Sequence, residues 1–532
     1  MNLSELLEKQ SKKYAEKVFL HYEKQTKSAV ENDGPNFKQT LSYKEFDRQV
    51  NRASHYLSSL NLGKGDVYNL HLPNCPAFLI LWFAGIRLGA VMMPTNVLAS
   101  EIELSWLLSH SDSRISFTTT QNQPVVERCK IRAQRLQHII ICDPDTNTPL
   151  ENSFESKLSR YSHNSIKEKN PKADVNASDL AAIMYTSGTT SKPKGVMVTH
   201  DNYLKAGTTV ADALEISEQD RHLVVLPMFH GNAQYYSTMS TLISGASMVL
   251  MDRFSASQYF DKCRQYNCTV SSLFAAPIRM ILAQPENACH GTNSLRVVIY
   301  AQNITEKQTK DWNRRFNAPL CQLWGMTETM GPPLMNPLRG ERKNWTVGKP
   351  VGGYEVQLVN QTGDRVSPGT AGEIIVRGLP GETIMAGYFN NPEATQATIR
   401  NGWLHTGDNA IQDEDGYFRF VDRLKDMIKR SGENVSAGEV ESVLLLHPAV
   451  FECAVIGLND KIRDQRIAAV VVCKSDQKAS ARELIEFCRE HLASFRVPEI
   501  IIFKDQLPKT SVGKIQKNLI RTELEDDKSI SG

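Results

Sequence analysis

Short apolar runs of strand type alternate with helical stretches along the first 300 residues of the chain. Turn residues bound these runs, which are Asp66–Leu72, Ala90–Pro94, Ile115–Thr118, Ile139–Cys142, Leu223–Leu226, Ser247–Met251, Thr269–Phe274 and Leu295–Tyr300. Such alternation is typical of parallel sheets covered by helices, because parallel strands must be joined by crossover connections. The sequence therefore predicts an α/β fold of doubly wound sheets up to about residue 345.

The pattern changes after about residue 345, where short strand-like segments are separated by Gly, Pro, Asn and Asp. These segments predict a small antiparallel sheet or distorted β-barrel at about 345–422. The highly charged stretch Arg423–Asn434 is typical of a hinge that ends in a turn, and helix and strand patterns resume after it. Because 532 residues exceed one ordinary core, we predict an N-terminal core over 1–424 and a smaller α+β domain over 425–532.

Composition and charge narrow the class of protein. A hydrophobic content of 41%, a charged content of 23% and a net charge of +2 are those of a soluble globular protein. The basic residues are scattered, so no nucleic-acid partner is expected, and the longest apolar run, Pro76–Ile86, is too short to span a bilayer. The N-terminal residues lack the apolar core of a signal peptide. We expect a cytoplasmic protein without a membrane span.

A loop rich in Gly, Ser, Thr and Lys lies between two apolar runs. It reads YTSGTTSKPKG over Tyr185–Gly195, and Ala181–Met184 and Val196–Val198 flank it. Backbone amides and hydroxyls in such a loop can surround one anionic centre, and the two lysines add positive charge. It is not a Walker A loop, because Val196 follows the second glycine where Lys would stand. Although a solvated linker is the alternative for a generic run of this composition, the apolar flanks favour nucleotide binding.

Three further segments carry side chains that suit nucleotide chemistry. In LWGMTET, Trp324 can lie along a purine, Thr327 can bind a phosphate and Glu328 can hold Mg²⁺. Asp408 closes the turn-like motif WLHTGD and can accept both hydroxyls of a ribose, with Arg423 near it. Lys514, in LPKTSVGKIQK, can neutralise charge on a transferring phosphoryl group. Each has an ordinary alternative: an exposed turn carboxylate, a surface salt bridge or a solvated loop lysine.

Five motifs in one order identify a resemblance that covers about residues 10 to 520. YTSGTTSKPKG, WGMTE, WLHTGD, DRLKDMIKRSGENVS and LPKTSVGKIQK occur as they do in the adenylate-forming superfamily, which the chain resembles. That family contains acyl-CoA synthetases, adenylation domains and firefly luciferase. The resemblance implies a mobile C-terminal lid domain and two half-reactions. A carboxylate and ATP give an acyl-adenylate and pyrophosphate, and a thiol, normally that of coenzyme A, then displaces AMP.

The resemblance also implies roles for individual residues. Contacts to the β- and γ-phosphates are implied for Thr186, Ser187, Gly188, Thr189, Thr190 and Lys194. Trp324 would lie by the adenine, Thr327 by the α-phosphate and Glu328 by Mg²⁺, while Asp408 and Arg423 would hold the ribose. Lys514 would be the adenylation lysine, Lys425 the hinge, and Ser431, Gly432 and Glu433 would line the thiol tunnel. His230 matches an acyl-pocket and thiolation gate, with a packed loop histidine as the alternative.

Departures from the family pattern affect the expected substrate. Ser191 replaces a glycine of the phosphate loop, and Trp324 replaces a tyrosine. Ser431 replaces a glycine beside the pantetheine tunnel, which leaves a thiol acceptor other than coenzyme A open. Tyr300 and Gln302 replace small residues of a turn at the acyl group. The motifs look most like those of crotonobetaine/carnitine–CoA ligases. In this chain, Tyr235, Tyr236 and Tyr300 would offer aromatic faces to the quaternary ammonium group of such a substrate. The predicted acyl pocket contains Tyr235, Tyr300, Ala301 and Gly325, and Gln302 is predicted to contact the nucleotide.

Three functions remain open on the sequence. The first is an ATP- and Mg²⁺-dependent acid–CoA ligase for a small or medium polar acid, acting as a monomer or homodimer. The second loads its adenylate onto the phosphopantetheine of an acyl carrier protein. The third is a non-catalytic nucleotide-binding relative, against which the retention of Glu328, Asp408 and Lys514 argues. A luciferase-like oxidation would begin from the same adenylate.

Overall fold

The computed structural model describes residues 1–24, 37–142, 152–160, 173–186, 192–287, 291–423, 426–430, 433–460, 464–474, 477–509 and 515–527. Within these ranges no helix is both long and apolar enough to cross a bilayer. The nine cysteines that the structure describes are free thiols, and eight of them are buried.

The helices and strands follow one another in chain order. The helices are α1 Leu3–Lys13, α2 Tyr43–Ser59, α3 Pro76–Arg87, α4 Glu101–His110, α5 Gln123–Cys129, α6 Phe154–Arg160, α7 His200–Ala213, α8 Ser240–Ser244, α9 Tyr259–Gln265, α10 Ala275–Leu282, α11 Glu306–Phe316, α12 Pro392–Thr398, α13 Ala437–Leu444, α14 Ala481–His491 and α15 Lys517–Asp526. The strands are β1 Val18–Glu23, β2 Lys38–Ser42, β3 Val67–His71, β4 Val91–Pro94, β5 Ile115–Thr118, β6 His138–Ile141, β7 Leu180–Thr186, β8 Lys194–Thr199, β9 Arg221–Val224, β10 Ser247–Met251, β11 Val270–Phe274, β12 Val297–Ala301, β13 Leu320–Trp324, β14 Leu334–Met335, β15 Lys349–Pro350, β16 Glu355–Val359, β17 Ala371–Arg377, β18 Gly387–Tyr388, β19 Ile399–Arg400, β20 Trp403–Gln412, β21 Phe418–Arg423, β22 Met427–Arg430, β23 Glu433–Ser436, β24 Val450–Asp460, β25 Asp464–Cys473 and β26 Ile500–Phe503.

Two large sheets confirm the predicted doubly wound α/β architecture. One has the strand order β15-β14-β13-β12-β11-β9-β10-β1-β2 and the other β18-β8-β7-β4-β3-β5-β6. Their central strands are parallel, while β2, β14 and β15 in the first sheet and β8 and β18 in the second pair antiparallel. Helix α3 is buried along its whole length in the core that draws residues from both sheets. A fully apolar helix is stable only when it is enclosed in this way.

A smaller antiparallel sheet follows, as predicted for residues 345–422. Its strands run in the order β16-β17-β20-β19, and β21 pairs with β20. One detail of the prediction was wrong, because the motif WLHTGD does not form a tight turn. It lies inside the ten-residue strand β20, where Gly407 has a φ of 70° and the register with β21 shifts between Asn409 and Ala410.

The C-terminal sheet contains only strands that follow residue 426, in the order β23-β22-β25-β24 with β26 beside β25. Its strands β22 and β23 correct the prediction that the charged stretch Arg423–Asn434 is simply a hinge that ends in a turn. They form an antiparallel pair in which Ile428 lies opposite Val435, and both side chains are buried. Two apolar residues among many charges are enough to anchor the pair in the C-terminal core.

The first sheet also contains an N-terminal element that the sequence pattern did not predict. Strands β1 and β2 pair antiparallel, and β1 adds to β10 at the sheet edge. Helix α2 follows β2 directly, and its N-cap Ser42 accepts a hydrogen bond from the Glu45 amide.

A buried carboxylate joins the amino ends of three neighbouring strands of the first sheet. Asp220 immediately precedes β9 and accepts two hydrogen bonds from the Arg296 guanidinium, at 2.8 and 2.9 Å. It also accepts hydrogen bonds from the Thr269 hydroxyl at 2.7 Å and the Ser217 amide at 2.9 Å. Burial by itself raises the pKa of Asp220, but these donors outweigh burial and lower the pKa from 3.8 to about 2. The charged form therefore stabilises the fold.

We expect Asp220→Asn to lower the free energy of unfolding by about 2 kcal/mol at pH 7, because a depressed pKa contributes stability above the ordinary pKa. The difference from wild type should shrink as the pH falls from about 4 towards 2, where the native carboxylate also becomes protonated. Urea unfolding at several pH values measures both effects. Asp261→Asn, which removes an exposed partner of Arg264, is the control and should change stability by less than about 0.5 kcal/mol. A loss that does not depend on pH would contradict this account.

Candidate active site

The predicted phosphate loop joins two antiparallel strands. Tyr185 pairs with Gly195 and Thr186 with Lys194, and these are the last pairs of β7 and β8 before the loop. Packing requires a glycine at position 195, because a Cβ there would lie 2.8 Å from a methyl group of Ile183 and 3.2 Å from the Tyr185 ring. The loop therefore connects two strands, whereas a Walker A loop leads into a helix.

Aromatic side chains support the base of this hairpin. The Tyr185 hydroxyl lies 2.6 Å from Nδ1 of His110, and the His110 ring stacks on Trp106 with centroids 4.6 Å apart. The Lys192 ammonium lies 5.9 Å from the centroid of Trp106. Burial lowers the pKa of His110, and Lys192 acts in the same direction. The imidazole is therefore neutral at neutral pH, so the lysines supply the positive charge at the loop.

A tyrosine that the sequence analysis did not select links two of the predicted motifs. Lys194 places its ammonium 4.9 Å from the centroid of the Tyr388 ring. The Tyr388 hydroxyl donates a hydrogen bond of 2.9 Å to Oε1 of Glu328. Tyr388 reaches this position because its two-residue strand β18 pairs with β8. Burial, and after it the charge of Glu328, raise the pKa of this hydroxyl, so it remains a donor.

The predicted adenine and ribose residues are in direct contact. The Trp324 indole N–H donates a hydrogen bond of 2.9 Å to Oδ2 of Asp408, and both side chains are buried. Trp324 ends β13, whereas Asp408 lies in β20 of the small antiparallel sheet, so the bond joins two sheets. The backbone of Arg423 pairs with that of Asp408, which places β21 beside them. The residues predicted to hold the ribose and to lie along the adenine are thus in contact with each other.

The segment between Trp324 and Met330 turns sharply after β13. Gly325 approaches other backbone closely, because a Cβ there would lie 2.7 Å from the Gly331 carbonyl and 2.7 Å from the Tyr236 hydroxyl. Thr327 and Glu328 lie in a short 3₁₀ turn, where Glu328 is buried and Thr327 is partly exposed. The Glu328 carbonyl also accepts the Met385 amide at 2.9 Å, which holds the turn against the segment before β18.

The residues predicted for the acyl pocket divide between two faces of the first sheet. Ala301 packs in the core that also contains Tyr235 and Trp324. Tyr300 points to the opposite face, where it is fully buried and its hydroxyl lies 3.1 Å from Gln322 and from the Asn344 carbonyl. The structure therefore does not bring the Tyr300 side chain to the other predicted pocket residues.

His230 follows β9 and Gln302 follows β12, and β11 lies between these two strands in the first sheet. The His230 ring meets the Phe274 ring edge-on at 5.5 Å, and Nδ1 of His230 accepts the Asn232 amide at 3.2 Å. Gln302 follows β12 with a φ of 74°. After His230 the chain forms a π-helix, Asn232–Met239, which contains Tyr235 and Tyr236. Nothing in the sequence pattern indicates this π-helix.

Several predicted site residues lie outside the described residues: Ser187, Gly188, Thr189, Thr190, Lys425, Ser431, Gly432 and Lys514. For Arg423 and Glu433 the structure describes the strand position but not the side chain. The site that the structure does describe comprises Thr186, Lys194, Trp324, Thr327, Glu328, Tyr388 and Asp408.

The residues present fit Mg²⁺ with a nucleotide. Glu328 offers a buried carboxylate, and Mg²⁺ is ordinarily held by one or two carboxylates together with substrate phosphates. When bound, the ion neutralises phosphate charge. Among the described residues there is no cluster of three or more His, Cys, Asp or Glu side chains, so the phosphates themselves would complete the coordination.

Comparison with known proteins agrees with this geometry. Residues 7–389 match the family of AMP-binding enzymes, and residues 439–514 match the AMP-binding enzyme C-terminal domain. The chain is 35% identical over 487 residues to the crotonobetaine/carnitine–CoA ligase of Shigella sonnei strain Ss046, covering 90% of this chain and 92% of that one. ATP-bound MatB from Rhodopseudomonas palustris has a TM-score of 0.87 at 26% identity, covering 99% of both chains. The anthranilate CoA ligase AuaEII in complex with anthranoyl-AMP has a TM-score of 0.87 at 26% identity, covering 98% of this chain and 97% of that one. The chain therefore belongs to the AMP-binding enzyme family and is an AMP-forming acid–CoA ligase that uses ATP, Mg²⁺ and coenzyme A.

Proposed function

We propose that the acid activated by this enzyme is a small or medium polar carboxylic acid. Activation of an acid here is supported by the convergence of three motifs at one site: Tyr388 contacts both Lys194 and Glu328, and Trp324 donates a hydrogen bond to Asp408. A free carboxylate is a poor acyl donor because its leaving group would be oxide. Its attack on the α-phosphorus of ATP releases pyrophosphate and gives a mixed anhydride with a good leaving group. Alignment and neutralisation of charge are the main tasks of the protein in such chemistry.

Each predicted nucleotide-binding residue that lies within a described element has a proposed task. Thr186 and Lys194 bind the β- and γ-phosphates together with the loop between them, and Thr327 binds the α-phosphate. Trp324 lies along the adenine, and Asp408 with Arg423 holds the ribose hydroxyls. Glu328 holds Mg²⁺, and Tyr388 orients that carboxylate by its hydrogen bond. Gln302 lies beside the nucleotide at the end of β12.

The second half-reaction is proposed to need the C-terminal residues. Rotation about Lys425 would withdraw Lys514 and bring Ser431, Gly432 and Glu433 to the thiol, with His230 as the gate. The separate C-terminal sheet supports this division into 1–424 and 425–532, because its strands all follow residue 426. An acyl carrier protein is the alternative thiol donor. We further propose a cytoplasmic monomer or homodimer.

Within polar acids, a betaine is the first candidate. The relative named above is a crotonobetaine/carnitine–CoA ligase, and Tyr235 and Tyr236 place two aromatic rings on the π-helix beside the active-site turn. Aromatic faces attract quaternary ammonium groups. Tyr300 is left out of this proposal, because its side chain lies on the other face of the sheet.

Acid-dependent release of pyrophosphate, measured with and without coenzyme A, tests the proposal. The panel should contain betaines, hydroxy acids, short and long fatty acids, and aryl acids. We expect release with polar acids of up to about eight carbons, at least tenfold faster than with long fatty acids, and formation of the thioester when coenzyme A is present. Release that ignores coenzyme A would favour a carrier protein as acceptor. A preference for long or aryl acids would contradict the proposed substrate class.

A further inference from the structure

Strand β20 bulges away from its neighbour β17 at the predicted ribose ligand. Ile375 of β17 pairs with His405, and Glu373 of β17 pairs with Asn409. One residue of β17 but three residues of β20, Thr406–Asp408, lie between these two pairs. A bulge of this kind interrupts regular pairing and re-aims a side chain, and bulges are common next to active sites. The last residue of this bulge is the one that carries the ribose carboxylate.

Two side chains accept the backbone amides of the bulge. Oε1 of Glu373 accepts the Gly407 amide at 2.9 Å. The Thr406 hydroxyl accepts the Asp408 amide at 3.1 Å and donates to the Ile374 carbonyl of β17 at 2.7 Å. Gly407 has a φ of 70°, which a residue without a Cβ adopts at no steric cost. These bonds fix both peptide groups that lead into Asp408.

The Glu373 carboxylate is itself held at both oxygens. While Oε1 accepts the Gly407 amide, Oε2 lies 3.0 Å from Nδ1 of His405. The side chains of Glu373 and His405 are each 16% exposed, so both are largely shielded from water. Side chains that are locked by packing and by hydrogen bonds of their own are the ones that hold a binding group in a precise geometry. Glu373 is therefore a rigid support for the bulge.

The bulge delivers the Asp408 carboxylate to a site outside the small sheet. Oδ2 of Asp408 accepts the indole N–H of Trp324, which ends β13 of the first sheet. Trp324 thus contacts the carboxylate directly, whereas Glu373 and Thr406 contact only the backbone before it. The position of a short side chain such as Asp depends closely on its backbone, so the two backbone contacts set where the carboxylate can reach.

We propose that Glu373 and Thr406 are positioning residues, which aim the Asp408 carboxylate at the ribose hydroxyls of ATP through the amides of Gly407 and Asp408. This inference rests on the ribose contact proposed for Asp408. One carboxylate must meet two hydroxyls on neighbouring carbons, and hydrogen bonds weaken steeply when their distance or angle departs from the optimum. A displaced backbone would therefore weaken the bonds to the ribose without removing the carboxylate.

The test measures by calorimetry the dissociation constants of ATP and of 2′,3′-dideoxy-ATP, which lacks both ribose hydroxyls, with Mg²⁺ and the full-length protein. Hydrogen bonds to a charged group are strong, so we expect the wild type to bind ATP at least about tenfold tighter than the dideoxy analogue. In E373A this preference should fall at least about fivefold, through weaker binding of ATP alone. T406V should lose about threefold, which keeps the test decisive if E373A folds poorly.

The conservative variant E373Q separates positioning by hydrogen bonds from an effect of charge. Its carbonyl oxygen can still accept the Gly407 amide, and its NH₂ group can donate to His405 in the other imidazole tautomer. E373Q should therefore keep the wild-type preference to within about twofold. A loss in E373Q as large as that in E373A would overturn the inference, because the acceptor for Gly407 would still be present.

Glu355 provides a matched control in the same small sheet. It lies in β16 and forms an exposed ion pair with Arg377, and such pairs contribute little. E355A should retain the wild-type preference for ATP. Three results would overturn the inference: an unchanged preference in both E373A and T406V, an equal weakening of ATP and the dideoxy analogue in these variants, or an equal loss in E355A.

D408A separates this inference from the role proposed for Asp408. If D408A abolishes the preference while E373A and T406V retain it, the ribose contact stands and the inference fails. If the wild type shows no preference, or D408A retains it, the proposed ribose contact fails and the inference fails with it. The titrations contain no acid, so an error in the proposed acid class would show in the pyrophosphate assay and leave these binding constants unaffected.

Discussion

Replacing Lys514 by alanine is expected to lower the rate of acyl-adenylate formation by about a thousandfold. The physical reason is that phosphoryl chemistry depends on neutralising the charge that develops on the transferring group, and an ammonium in a dry site does this without reorganisation. Lys514 lies outside the described residues, so the prediction rests on its position in LPKTSVGKIQK. The measurement is single-turnover formation of adenylate from acid and ATP.

The second half-reaction provides the contrast for this variant. Thiolysis of a supplied acyl-adenylate by coenzyme A should fall by less than about tenfold, because no phosphoryl charge develops in that step. Lys504→Gln is the control, since Lys504 forms a surface ion pair with Glu523 and such pairs contribute little. An equal loss of both half-reactions would contradict the role assigned to Lys514.

Glu328→Gln is expected to reduce acid-dependent pyrophosphate release about a hundredfold at ordinary Mg²⁺ concentrations. The substitution preserves shape but removes the negative charge of a buried carboxylate, and Mg²⁺ prefers hard anionic oxygen ligands. Raising the Mg²⁺ concentration should therefore restore part of the activity. A titration of initial rate against Mg²⁺, at saturating ATP and acid, measures the change in metal requirement.

Tyr388→Phe is the matched variant for this prediction. It removes the hydrogen bond to Oε1 of Glu328 but keeps both the carboxylate charge and the aromatic ring beneath Lys194. We expect a loss of about tenfold, since hydrogen bonds to charged groups are worth about 1.5–3 kcal/mol. If Glu328→Gln and wild type need the same Mg²⁺ concentration, Glu328 does not hold the metal.

The local pattern of apolar residues was sufficient to predict many of the strands. The strands Ile115–Thr118 and Ser247–Met251 have the bounds that their apolar runs predict, because a strand buried on both faces is apolar at each position. The apolar runs Ala181–Met184 and Val196–Val198 likewise fall within β7 and β8, but the antiparallel pairing of these strands was not predicted. Strands β1 and β2 were not, since Lys38–Ser42 is polar and acquires its strand form by pairing with β1 at the sheet edge.

The sequence alone determined the family, the order of the motifs and the chemistry that they share, because loops that bind phosphate carry their ligands within a few consecutive residues. Only the tertiary structure decided which distant side chains meet. Tyr388 contacts Glu328 across 60 positions, and Trp324 contacts Asp408 across 84. Tyr300 turns away from the predicted acyl pocket, because a strand sends successive side chains to opposite faces and its register sets which face each one takes.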